Sequence, residues 1–299
     1  MSADPRAPDR REPDRREPDR RELDRDAPNR DIRDRDIRDR DIRDRPIPAH
    51  DGTDLVGRTW PSVGAPVVLV PLGATEQHGP HLPLDVDATI AAAVAQGLAK
   101  RSIENGTDAV VAPTIAYGSS GEHQDFPGTL SIGTAALQLM LVELGRSATV
   151  WAPRVVFVNG HGGNLDGLSA AVRILRSEGR EVAWLPCSPD DGAPHDAHAG
   201  FDETAMLLHL RAAAVRADSI EPGATAAIGE LLPRLRAEGV RAVSPNGVLG
   251  DPRGATAEAG ERLLDTIIDA AWRRLIGEVA GDGRLVARSA RRSERGTDV

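Results

Sequence analysis

One cysteine, Cys187, stands in the whole chain of 299 residues. That excludes an internal disulfide framework and every zinc site built from several thiolates. Aromatic residues are scarce as well, with three Phe, one Tyr and four Trp, so little ring packing is left to hold a small flat molecule. No run reaches the roughly 18 consecutive apolar residues of a membrane span. The N-terminus is charged where an export signal would need an apolar stretch. The expected compartment is therefore the cytoplasm, with no membrane partner. Also missing are G-x-G-x-x-G, the Walker pattern, HExxH and a G-x-S-x-G elbow, which Ser119-Ser120 does not complete.

Charge is abundant and unevenly placed. Residues 1–47 run in blocks of five, PDRRE three times and later RDRDI twice. A period of five fits neither a helix face nor a strand face, so no apolar side forms. The segment holds 15 Arg and 15 Asp or Glu, and after Met1 its large apolar residues are Leu23 and four Ile. It cannot bury enough apolar surface to offset its ordering entropy, and disorder is expected. A salt-bridged helix is the alternative, opposed by the prolines of its first half. The rest of the chain carries 22 Lys and Arg against 31 Asp and Glu, hence the whole formal charge of −9. An acidic body lacks the clustered cations that phosphates need, so no nucleic-acid partner is expected. The basic run RLVARSARRSERG reads as a solvated end. The expected divisions are a tail over 1–47, a catalytic domain over 48–280 and a disordered basic tail over 281–299.

Between the tails, short apolar runs alternate with longer amphipathic ones. VVLVPL (67–72), AVVAP (109–113), RVVFVN (154–159) and EVAWLP (181–186) read as strands buried on both faces of a parallel sheet. Helical spacing marks 87–101, 134–150, 164–179, roughly 202–216 and 256–277. Asp87 and Asn164 are placed as helix caps and Gly179 as a stop. The pattern predicts one α/β domain of about 230 residues, a three-layer α/β/α sandwich around a mostly parallel sheet. In such sheets ligands bind beyond the carboxyl ends of the strands. The polar clusters ATEQHG, YGSSGEHQDFPG, NGHGGN and DAHAGFDE each follow a strand and should meet at one sheet edge.

These clusters hold the candidate chemistry. Glu76 and His78 are two apart, so in extended chain both face one site while Gln77 turns away. Asp87 follows, where a carboxylate could bridge two cations; a polar loop with a capping Asp87 accounts for the segment equally well. His161 lies among glycines that permit close backbone approach; a phosphate cradle is the alternative there, but the spacing matches no phosphate motif. His198 and Glu203 flank the start of an apolar helix, where Glu203 is either paired or caps the first turn. Glu122 and His123 either line a substrate pocket or belong to an ordinary surface turn. His81 and Asp85 take supporting loop roles, His209 reads as a core histidine, and His50 and His195 as solvated. Together Glu76, His78, Asp87, His161 and Glu203 form a mixed nitrogen and oxygen set suited to Zn²⁺, Mn²⁺ or Fe²⁺. With Asp87 bridging, five such side chains can hold two ions about 3.5 Å apart.

Over roughly residues 55–277 the motifs GATEQHGPHLPLDVD, YGSSGEHQDFPGT, NGHGGN and HAGFDET resemble the creatininase (creatinine amidohydrolase) family. Within it, PLDVD, DAHAG-x-x-ET and SPNGVLGDPRGATA look most like the mycofactocin-system creatininase-like peptidases. The resemblance implies two divalent ions per chain, one on Glu76 and His161, the other on His78, with Asp87 and a water or hydroxide between. Creatininase has a metal-binding glutamate two residues beyond the His161 position; this chain has Gly163, so the second carboxylate is assigned to Glu203, and creatinine is disfavoured as substrate. The resemblance places a catalytic histidine at His198, read as a general acid near its ordinary pKa of about 6.5. It points to a peptide, the mycofactocin precursor, cleaved to release its modified C-terminal Val-Tyr portion. Hydrolysis of a small cyclic or formyl amide is the alternative activity, and a non-catalytic metal- or nucleotide-binding module the alternative class. Ring-like hexamers in the family imply a homo-oligomer. Deleting residues 1–47 should leave melting temperature and turnover unchanged; an unfolded or inactive truncation would refute this reading of the tail.

Overall fold

The structure, a computed structural model, describes residues 52–190 and 195–288. The expectations for residues 1–47, for His50 and for 289–299 lie outside them. Four parallel strands form the central sheet in the order β2-β1-β3-β4, with β1 at Val67–Leu72, β2 at Ala109–Val111, β3 at Arg154–Asn159 and β4 at Val182–Pro186. Registers such as Val70↔Phe157 and Phe157↔Trp184 hold them in step.

Side chains alternate across this sheet because a strand repeats every two residues. Val68, Val70, Leu72, Val155, Phe157, Val182 and Trp184 enter one core, covered by Leu137 and Leu141 of α2 (Gly133–Ala148) and Leu168 and Leu175 of α3 (Leu165–Ser177). Leu69, Val156, Val158, Ala183 and Leu185 enter the other. That core is closed by α1 (Val86–Glu104), α4 (Phe201–Arg211) and α7 (Ala257–Leu275). Two apolar faces on one sheet make three layers, the architecture expected from the strand pattern. Helices α4 and α7 cross closely: a Cβ on Gly260 would stand 1.9 Å from the Ala205 carbonyl oxygen. Gly179 does stop α3, taking φ +77° just past its end.

Several local expectations are corrected. Asp87 is inside the first turn of α1, not before it; Asn164 does hold the N-cap position of α3, but its side chain makes no cap hydrogen bond among the described residues. The helix expected over 202–216 ends at Arg211 and continues as a 3-10 turn, Ala212–Ala214. Helices α5 (Ile228–Glu238) and α6 (Val240–Val243) were not expected; Pro233 lies inside α5, where its missing N–H argues against a helix. His209 is exposed on α4 rather than in the core.

The domain also runs past the expected boundary at 280. Strands β5 (Glu278–Val279) and β6 (Leu285–Val286) pair antiparallel. Leu285 is fully buried in the second core, and Trp184 bridges to Arg284. A basic composition hid one apolar anchor. Replacing Leu285 with Ala should cost about 2–5 kcal/mol in urea unfolding, whereas the exposed Val150→Ala should change almost nothing; equal effects would return residues 281–288 to the tail.

Candidate metal centre

Beyond the carboxyl ends of β1 and β3 the chain is built to let a helix start come close. A Cβ on Gly73 would lie 2.4 Å from the Ala88 nitrogen, and one on Gly160 would lie 2.6 Å from the Asp87 carbonyl oxygen. With neither present, the first turn of α1 seats Asp87 between the two strand ends. Glu76 and His78 follow β1, His161 follows β3, and His198 and Glu203 come from the segment after β4 and the start of α4. The structure thus brings together residues up to 127 positions apart.

Asp87 stands at the middle. Its Oδ1 is 3.2 Å from His78 Nε2, and its Oδ2 is 3.3 Å from His161 Nδ1. Glu76 Oε2 lies 3.3 Å from His161 Nε2, and Glu203 Oε2 lies 3.8 Å from His78 Nε2. Among the described residues, three groups offer ligand atoms within 4.8 Å of one another: Glu76, Asp87 and His161; His78, Asp87 and Glu203; Glu76, His78 and His198. The first two share Asp87.

Burial makes this arrangement costly for the protein alone. Glu76 and Asp87 are almost entirely shielded, yet among the described residues both Glu76 oxygens and Asp87 Oδ2 lack a hydrogen-bond partner. Burial, then the charge of Asp87, pushes the Glu76 carboxyl up to about 8. Burial likewise pushes Glu203 up, reinforced by Asp87. His78 is buried too, but Asp87 overrides that effect and draws its pKa up to about 10. His161 reaches about 10 in the same way, through Glu76 and Asp87. Orphaned carboxylate oxygens facing imidazoles are what cations of the zinc, iron or manganese type would satisfy, so the donor set fits the expected metals.

Around this cluster sit groups that orient it. The Gln77 amide does not turn away, as the extended-chain argument expected. It is buried, donates from Nε2 to His123 Nδ1 (2.9 Å) and to the Gly247 carbonyl (3.1 Å), and accepts from the Gly79 N–H at Oε1 (2.9 Å). His123 in turn points Nε2 at Glu76 Oε1, 3.4 Å away. His198 donates from Nε2 to the Gln77 carbonyl at 2.8 Å, leaving Nδ1 facing Glu76 Oε1 at 3.7 Å. Burial, with His78 and His123 close by, holds the His198 pKa well below its ordinary value. The near-ordinary value expected for His198 from the sequence alone is therefore not what its surroundings give.

The remaining expected residues divide. Glu122 is at the rim, its Oε1 3.8 Å from His161 Nε2. His81 is buried against Thr204 Oγ1 at 2.8 Å, beside Glu203, and Asp85 pairs with Arg211 on the surface. His195 is exposed but hydrogen-bonded to Asp202. Glu203 accepts the Ala199 N–H at 2.6 Å. Ala199 has φ +52°, the one non-glycine residue in that region among the described residues. Asn164, missed as more than a cap, joins three segments: its Nδ2 donates to the Gly73 carbonyl and Asn159 Oδ1, and its Oδ1 accepts from the Ser119 N–H. Its neighbourhood in NGHGGN was the available sign.

A profile of the creatininase (creatinine amidohydrolase) family matches residues 58–275. The chain belongs to the creatininase family. That membership makes it a hydrolase of amide bonds. It is 57% identical over 205 residues to the mycofactocin precursor peptide peptidase of Mycolicibacterium smegmatis, covering 68% of this chain and 82% of that one. Identity to the creatinine amidohydrolase of Pseudomonas putida is 30% over 239 residues, 69% of this chain and 87% of that one. A solved mutant creatininase of Zn-Zn type superposes with a TM-score of 0.59 at 27% identity, covering 73% of this chain and 94% of that one.

Gly163 now has a steric reason. A Cβ there would meet the Ser119 carbonyl oxygen at 2.3 Å, His161 Nε2 at 2.5 Å and Glu122 Oε1 at 2.6 Å. No glutamate fits at 163 with this loop in place. Gly162, one residue earlier, has open space. Gly163→Ala should therefore cost about 1–3 kcal/mol in chemical denaturation, while Gly162→Ala stays within about 0.5; a neutral Gly163→Ala would remove the steric account.

Proposed function

We propose that the chain is a dinuclear metal-dependent peptidase that cleaves the modified mycofactocin precursor peptide and releases its C-terminal Val-Tyr-derived portion. The observation that carries this reading is the pair of ligand groups sharing Asp87, with buried carboxylate oxygens left without partners. Glu76, Asp87 and His161 would hold one ion, and His78, Asp87 and Glu203 the other. When bound, two such ions lower the pKa of a shared water to about 7 and polarise an amide carbonyl.

The chain's own contribution is proton handling and orientation. His198, fixed through Nε2 by the Gln77 carbonyl, takes at Nδ1, on the side of Glu76, the proton lost by the water that adds to the amide carbonyl carbon. It then delivers that proton to the amide nitrogen, which leaves poorly without it. Ala199, next to the base, holds Glu203 through its N–H, so the base and the outer carboxylate are set by one turn. Glu122, at the rim beside His161, contacts the incoming peptide together with the neighbouring loop. The metals are of the Zn²⁺, Fe²⁺ or Mn²⁺ type. The enzyme acts in the cytoplasm as a homo-oligomer, as the hexameric family members imply.

The identity with peptidases of the mycofactocin precursor favours a peptide over creatinine, as does a glycine where a Cβ cannot fit. Metal analysis should find close to two divalent ions per chain, falling towards zero in Asp87→Ala and towards one in Glu203→Ala. Incubated with the metal-loaded protein, the modified precursor peptide should split, by mass, while creatinine persists. His198→Ala should lower turnover about 10²–10⁴-fold with metal content retained. Less than one ion per chain in the wild type, or turnover of creatinine alone, would sink the proposal.

A further inference from the structure

Gln77 holds two imidazoles at once, and hydrogen-bond bookkeeping gives them opposite polarity. The orientation of its amide is fixed independently of either histidine. Oε1 must be the oxygen because it accepts the Gly79 N–H, and Nε2 must be the nitrogen because it meets the Gly247 carbonyl. An amide NH₂ has two protons. One goes to Gly247 and the other to His123 Nδ1, so His123 Nδ1 carries a lone pair and its proton sits on Nε2. That Nε2–H faces Glu76 Oε1 at 3.4 Å, inside the cluster. His198 is pinned the other way round. Its Nε2 donates to the Gln77 backbone carbonyl, so its contact with the Gln77 amide nitrogen at 3.0 Å places two donors side by side and is not a bond. His198 therefore turns an accepting Nδ1 towards the same carboxylate. The two rings are 4.5 Å apart between centroids.

We infer that His123 is a catalytic hydrogen-bond donor whose Nε2–H, fixed by Gln77, stabilises the negative charge that develops on the amide carbonyl oxygen, while His198 beside it accepts the proton. This rests on the peptidase reading above. A neutral imidazole suits the task because it donates without giving its proton away, and no bond to hydrogen breaks at His123 during the step. Removal of one such donor costs about 10²–10³-fold in kcat.

Two measurements test this on the Zn²⁺-loaded full chain. Nitrogen-15 NMR of the histidine rings should show His123 protonated at Nε2 and bare at Nδ1; in Gln77→Glu, whose carboxylate can only accept, the proton should move to Nδ1. Kinetics with the modified precursor peptide should show kcat lowered about 10²–10³-fold in both Gln77→Glu and His123→Ala, with KM and metal content close to wild type. A wild-type His123 protonated at Nδ1 overturns the inference, as does a His123→Ala variant that loses metal or keeps its kcat. Should Gln77→Glu fail to fold, His123→Ala and the wild-type spectrum decide alone. A wild type that cleaves no peptide sinks the peptidase reading and the catalytic role with it, and the spectrum still decides the tautomer.

Discussion

Asp87 sets the terms for the rest of the molecule. A carboxylate with almost no solvent contact is destabilising unless positive charge or donors meet it, and here His78 and His161 approach its two oxygens at 3.2 and 3.3 Å. Those two histidines come from the ends of neighbouring parallel strands, β1 and β3. The helix that carries Asp87 reaches between them because Gly73 and Gly160 present no side chain. The position of one buried charge thus explains the glycines, the crossing of α1 over the strand ends, and the gathering of carboxylates and imidazoles on that side of the sheet.

The second level of organisation is polar and less visible. Asn164 ties together the ends of β1 and β3 and the Ser119 loop, and Gln77 ties His123 and His198 to the Gly247 loop. Neither side chain is ionisable, and each uses both of its amide protons. Such fully satisfied amides hold the charged groups in one geometry without adding charge of their own. On the far side, Thr204 and His81 support the start of α4, so Glu203 is held from its helix as well as from the Ala199 backbone.

Much of this was legible in the chain itself. Strands buried on both faces announce themselves as short β-branched runs, and the topology of parallel sheets sends polar residues after those runs to one edge. The five clustered side chains followed from that rule and from their motifs. What escaped was set by contacts that spacing cannot express. Gln77 was read as pointing outward because an extended backbone was assumed, whereas Gly79, at φ +65°, bends the chain back upon it. Asp87 looked like a cap, and Asn164 like no more than one, because composition near a helix start favours that role. Pro233 masked a helix, and basic neighbours masked Leu285. The pKa of His198 is lowered by burial and by His78 and His123, more than 70 residues away in sequence, so that shift could not be read locally.

Ala199 gives the last turn a different significance. A non-glycine residue in the left-handed region gives up about 1–2 kcal/mol, and glycine would remove that penalty. Yet glycine would also enlarge the range of conformations open to the segment between His198 and Glu203. The chain accepts a locally unfavourable backbone and gains a narrower one. Precision at this turn is thus maintained against the local gradient of stability, and a search for more stable sequences would tend to erase it first.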